Sequence, residues 1–156
     1  HYMPFHVVLV HPEIPNNTGN IGRLCLGTGS ELHLIKPLGF SLEDKQLKRS
    51  GLDYWPKLKV HIHEDFAAFR TAHPKAKMAF YSSKGTQNYW DLETQEDHYF
   101  VFGCESKGLP ESIVETQQQS LYKIPLATDS IRSFNLANAV SIVLFEGKRQ
   151  QFFKQK

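Results

Sequence analysis

Cysteine is scarce in this chain of 156 residues: Cys25 and Cys104 are the only two, far apart and without CxxC spacing. That argues against a disulfide framework and a cysteine-based zinc site, so both are expected as free thiols. Eight histidines are present, but His61-Ile62-His63 and His11-Pro12-Glu13 stand alone without a second ligand cluster, and no metal site is expected. Long apolar runs are missing too. None approaches the roughly 20 residues that span a bilayer, and the N-terminus lacks the basic region and apolar stretch of a signal peptide. The expectation is a cytoplasmic protein with no membrane partner. There is no Walker sequence, no GxGxxG fingerprint after the first apolar run, and no nucleophile elbow, so nucleotide hydrolysis, nicotinamide chemistry and triad hydrolysis have no support.

What is present fits one globular domain over residues 3–156, with His1-Tyr2 read as a vector remnant. Phe5 to Val10 is a continuous apolar run, as in a strand buried on both faces. Further strands are expected at Leu32 to Lys36, Leu58 to Ile62, Met78 to Ser82, His98 to Gly103 and Leu121 to Ile124. Helices are expected between them. One is capped by Asn17 or Thr18 and ended by Gly29, and others cover Leu42 to Ser50 with Gly51 as stop, Asp65 to Ala72, and Pro110 to Thr116. This alternation predicts an α/β fold, a mostly parallel sheet with helices on both faces. The last helix, Phe134 to about Phe153, is apolar almost all round at its middle, and a helix-mediated homodimer would cover its second side.

Net charge is only +2, too small to define a polyanionic partner. Its distribution is more suggestive: Lys45, Lys48 and Arg49 share a helix face, Lys57 and Lys59 follow, and Lys148, Arg149, Lys154 and Lys156 crowd the C-terminus. Such stripes track phosphates or form solvated faces. Four turns carry the chemistry. Asn16 to Arg23 combines a helix start, Gly19 and Gly22 for close backbone approach, and an arginine suited to phosphate, although capping and packing would explain it as well. Gly103 to Gly108 places Glu105 at a strand end, either as a functional carboxylate or as a surface acid on a tight turn. Ser130 to Asn138 sets Ser133, Asn135 and Asn138 at the last helix start, and Tyr81 to Gly85 closes another strand. In a parallel sheet such strand ends share one side, so one crevice can collect all of them.

In order, NNTGNIGR (Asn16 to Arg23), FGCESKGL (Phe102 to Leu109) and IPL with SFNLANAV (Ile124 to Leu126, Ser133 to Val140) resemble the signature motifs of the SpoU branch of the SPOUT RNA methyltransferases. The resemblance covers nearly the whole chain. With His11-Pro12-Glu13-Ile14-Pro15 before the first motif and Gly51-Leu52-Asp53-Tyr54 after the basic helix, it is most similar to the minimal YibK/TrmL type, which methylates the ribose 2′-oxygen of the wobble cytidine or uridine in tRNA. The resemblance implies a C-terminal deep trefoil knot, a homodimer, and S-adenosylmethionine converted to S-adenosylhomocysteine. It implies that Tyr81, Gly103, Ile124, Leu126 and Ser133 line the cofactor pocket and that Arg23, Asn17, Glu105 and Asn135 form the reactive corner. Arg23 is expected to clamp phosphate and stabilise developing charge, because a guanidinium stays protonated. Candidate RNA contacts are Lys45, Lys48, Arg49, Arg132 and Arg149. A ribosomal RNA 2′-O-methyltransferase and a non-catalytic RNA-binding factor are the alternatives. Cys104, Ile131 and Gly147-Lys148 depart from the family pattern.

Overall fold

A computed structural model describes residues 3–50 and 53–154, so the expected stop at Gly51, the basic Lys156 and the His1-Tyr2 remnant lie outside the described residues. Strands β1 (His6–Val10), β2 (Glu31–Ile35), β3 (Val60–His63), β4 (Met78–Tyr81), β5 (Gln87–Asn88), β6 (Tyr99–Phe102) and β7 (Leu121–Lys123) form one sheet in the order β3-β2-β1-β6-β4-β7-β5. Every pairing is parallel. Helices α1 (Pro15–Thr28), α2 (Lys45–Ser50), α3 (Phe66–Ala72), α4 (Glu111–Thr116) and α5 (Leu136–Lys154) connect or follow them.

The apolar strands are buried on both faces because alternate side chains enter different cores. Val7 and Leu9 pack with Ile21 and Cys25 of α1 and Val140, Val143 and Leu144 of α5. Val8 and Val10 pack with Phe69 of α3 and Ile113 and Val114 of α4. Burial pushes the Cys25 thiol up to about 12, so it is an inert core group.

Gly147 explains how close α5 lies to the sheet. A Cβ there would stand 3.0 to 3.3 Å from the Phe5 and Phe100 rings, and those rings pack with centroids 5.1 Å apart. Lys148, its neighbour, donates to the Thr28 carbonyl at 3.4 Å. The opposite side of α5 is uncovered, with Phe145, Phe152 and Phe153 each more than half exposed. No helix among the described residues is long and apolar enough to cross a membrane.

Neither Asn17 nor Thr18 caps α1, contrary to expectation: the helix starts at Pro15, behind an Ile14 cap with no side-chain bond of its own. Gly29 does end it, in the left-handed region at φ 69°. Asn135 caps α5, accepting from the Asn138 backbone N–H at 3.2 Å.

Candidate functional site

Because β6, β4 and β7 are adjacent and parallel, Phe102, Tyr81 and Tyr122 lie in register and the turns that follow them open on one side. There a cavity of about 860 Å³ forms, within the range of small-molecule sites. Its wall includes Tyr81, Gly103, Ile124, Leu126 and Ser133, all five expected cofactor residues. Phe102, Leu109 and Leu136 add apolar surface, while Ser82, Lys123 and Arg132 add polar groups. Tyr81 is deeply buried, which raises its phenol well above the ordinary value and keeps it neutral. Gly103 is required by space: a Cβ would run into the Gly108 carbonyl and the Leu109 nitrogen, where Cys104 and Gly108 bond to each other across the turn.

Asn17, Glu105 and Asn135 border this cavity, but Arg23 does not. Arg23 lines a second, more open cleft of about 560 Å³ with Asn20, Leu24 and Phe145. Asn17 and Asn135 belong to both and form the wall between them. Arg23 makes no ion pair among the described residues, and its guanidinium lies over the Tyr54 ring, 5.7 Å from the centroid. Tyr54 is anchored below by its hydroxyl, 2.6 Å from the Gly19 carbonyl and close to that of Ser50. Burial raises the Tyr54 phenol, with Arg23 opposing the shift.

The dividing wall is locked by one chain of hydrogen bonds. The Glu105 carboxylate accepts from the backbone N–H of Glu13 at 2.8 Å and Ile14 at 3.0 Å, and from Asn17 Nδ2 at 3.2 Å. It supplies the capping acceptor that the start of α1 lacks locally. Asn17 Oδ1 then accepts from Asn135 Nδ2 at 3.1 Å. Since Asn135 Oδ1 is taken by the cap of α5, both amides have one orientation, and each retains one N–H for a ligand. In return, Glu13 accepts from Ser106 N and Oγ at 2.8 and 2.9 Å, which holds its carboxyl below the usual range. Glu13 and Tyr54 were not singled out from sequence as site residues; Glu13 meets Ser106 across 93 positions, with no local signal to reveal it.

The glycines of Asn16 to Arg23 serve packing instead of close ligand approach. A Cβ on Gly19 would strike the Ser50 side chain, and one on Gly22 would come within 2.7 Å of the Trp55 ring. The basic residues divide as well. Lys45 and Arg49 are exposed on α2, whereas Lys48 is paired to Glu43 at 2.6 Å and Arg149 to Glu146 at 2.8 Å. Arg132 lines the larger cavity, apart from the others. The histidines do not stand alone: His33, His63 and His73 converge, as do His6, Glu31 and His33.

A half-open small-molecule cavity and a wider cleft bearing Arg23, divided by two fixed amides, can hold two substrates side by side, as a group transferase requires. Residues 4–145 match the SpoU rRNA Methylase family, and the chain belongs to it. It is similar to the tRNA (cytidine(34)-2′-O)-methyltransferase of Methylovorus glucosotrophus, 45% identical over 150 residues that cover 96% of this chain and 97% of that one. A solved structure concerned with the 2-OH methylation of C/U34 on tRNA is 41% identical, with a TM-score of 0.90 and 97% of each chain covered. The SpoU methyltransferase AviRb of Streptomyces viridochromogenes, solved in complex with the cofactor AdoMet, shares the fold at a TM-score of 0.81 and 22% identity, over 97% of this chain and 59% of that one.

Proposed function

We propose that this chain transfers a methyl group from S-adenosylmethionine to the ribose 2′-oxygen of nucleotide 34, a cytidine or uridine, in tRNA. Its high-coverage likeness to the methyltransferase of Methylovorus glucosotrophus supports the substrate. The observation that carries the mechanism is the Asn17 and Asn135 wall shared by the two cavities. The first cavity suits the cofactor: apolar Tyr81, Phe102 and Leu109 can flank an adenine, and the segment from Ile124 to Leu126, beyond the last paired strand residue, offers main-chain groups to its polar edges. When bound, S-adenosylmethionine supplies a methyl group already activated by a positive sulfur.

The protein's task is then to position the ribose and manage the charge on its oxygen. Arg23 holds an RNA phosphate in the open cleft and stays protonated, so it stabilises negative charge without acting as a base. Glu105 is a positioning residue: its two oxygens accept three donors and hold the start of α1 and the Asn17 amide in place. The free N–H groups of Asn17 and Asn135 orient the ribose oxygens, and as the new C–O bond forms and the C–S bond breaks the hydroxyl proton passes to water in the open cleft. The C-terminal knot belongs to the same reading, and the likeness to other SpoU methyltransferases supports it. A homodimer, which would cover the exposed Phe145 and Phe153 of α5, belongs to it too. A tRNA-modifying enzyme of this kind works in the cytoplasm.

Arg23→Ala tests the division of labour. Methyl transfer to tRNA should fall below detection while calorimetric affinity for S-adenosylmethionine stays within about twofold, since Arg23 lines only the open cleft. Near-normal turnover would remove Arg23 from the mechanism.

A further inference from the structure

A second concentration of chemistry lies on the α3 side of the sheet, and none of its residues lines either cavity. His6 of β1, His33 of β2, His61 and His63 of β3, and His73 just after α3 gather there around Phe69 and Tyr99. His33 is fully buried, and His63 and His73 are half-buried. One ring nitrogen from each of these three lies within 4.8 Å of the other two.

The geometry is close to that of a ligand set. His33 Nδ1 and His63 Nε2 are 3.0 Å apart. An ion with metal–nitrogen bonds of about 2.0–2.1 Å in tetrahedral array separates two ligand nitrogens by about 3.3 Å. Opening one hydrogen bond by a few tenths of an ångström therefore admits it. Outer partners are already in place. His33 Nε2 lies 2.9 Å from His6 Nδ1, and the Tyr99 hydroxyl lies 3.2 Å from His73 Nδ1, contacts of the kind that orient ligating imidazoles.

Proton placement also works. When His33 Nε2–H donates to His6 Nδ1, the His33 Nδ1 lone pair is free; His63 and His73 then carry their protons on Nδ1, His73 donating to the Tyr99 hydroxyl oxygen. Neutral rings then bind without net proton release.

We propose that His33, His63 and His73 form a binding site for a divalent d-block cation of the zinc class, with a coordination position left to water on the half-buried side. Three imidazoles without a carboxylate select such ions over magnesium and calcium. The bound ion would tie edge strand β3 and the segment after α3 to β2, stabilising the sheet edge farthest from β5.

The test is titration of Zn²⁺ into the metal-stripped full chain by calorimetry, with visible absorption of Co²⁺ as a second readout. One ion per chain and intense tetrahedral-type Co²⁺ bands are expected. His63→Gln and His73→Gln, at half-buried positions and checked for native circular dichroism, should each weaken binding at least about 100-fold. Glu31→Gln should leave it unchanged. No binding to the native chain, binding that survives both histidine variants, or loss caused by Glu31→Gln would each overturn the proposal, the last by moving the ion to His6, Glu31 and His33.

Discussion

Replacing Glu105 by alanine removes an acceptor that serves three donors at once, the backbone N–H groups of Glu13 and Ile14 and the amide of Asn17. Hydrogen bonds to a charged group contribute about 1.5–3 kcal/mol each in favourable settings. Here the Ile14 bond is exposed and the other two only partly buried, so water replaces much of what is removed. Loss of a helix N-terminal cap costs about 0.5–2 kcal/mol. A net destabilisation of about 2 kcal/mol follows, or a Tm lower by about 4–8 °C for a chain of this size. The functional effect should be larger. Asn17 would be free to rotate, Asn135 would lose its fixed acceptor, and a displacement near 1 Å at a reacting centre costs about 100-fold in rate. Single-turnover methyl transfer should therefore slow by about that factor while S-adenosylmethionine binding changes little. Glu105→Gln keeps the shape but turns an N–H₂ toward a donor, and should fall between the two. A Glu105→Ala protein with native Tm and native turnover would refute the locked-wall account.

Other perturbations probe separate parts of the structure. Gly103→Ala should destabilise by more than about 3 kcal/mol in urea unfolding, because the new carbon has backbone on the far side and no flexible neighbour to displace. His98 is buried against Phe100, and burial, with Lys77 adding, lowers its pKa from 6.5 to about 4. The unfolded chain binds that proton first, so stability is full above about pH 6.5 and declines as pH falls toward 4, by on the order of 3 kcal/mol. His98→Gln should flatten that part of the pH–stability curve, and an unchanged slope would contradict the assignment. Lys45 and Arg49, unpaired with carboxylates among the described residues, should contact tRNA phosphates. Their joint replacement should weaken tRNA binding and make its log–log salt slope shallower by about 0.7 for each phosphate no longer neutralised.

The middle of the sheet was legible because β1, β4 and β6 are nearly unbroken apolar runs, the sign of burial on two faces, and the cavity because glycines and hydroxyls follow β4 and β6 at their C-terminal ends. What escaped is long-range. The start of α1 was misplaced since its acceptor, Glu105, comes from a turn some 90 residues later. β5 has only two residues, Gln87 and Asn88, and no apolar pattern. The histidines looked isolated because β1, β2, β3 and the end of α3 each contribute one or two, and only strand pairing together with the docking of α3 brings them to one place. Asn16 to Arg23 carried a mixed signal: its glycines answer to Ser50 and Trp55, while Asn17 and Arg23 face the two cavities.

On the proposed mechanism, a methyl donor in the Gly103, Ile124 and Ser133 cavity meets an RNA ribose across the Asn17 and Asn135 wall. Incubating the protein with methyl-labelled S-adenosylmethionine and unmodified bulk tRNA, followed by nucleoside mapping, tests it most directly. Label confined to the 2′-oxygen of cytidine or uridine 34 is the predicted result. Label on a base, at another position, or only on ribosomal RNA supplied in parallel would contradict it.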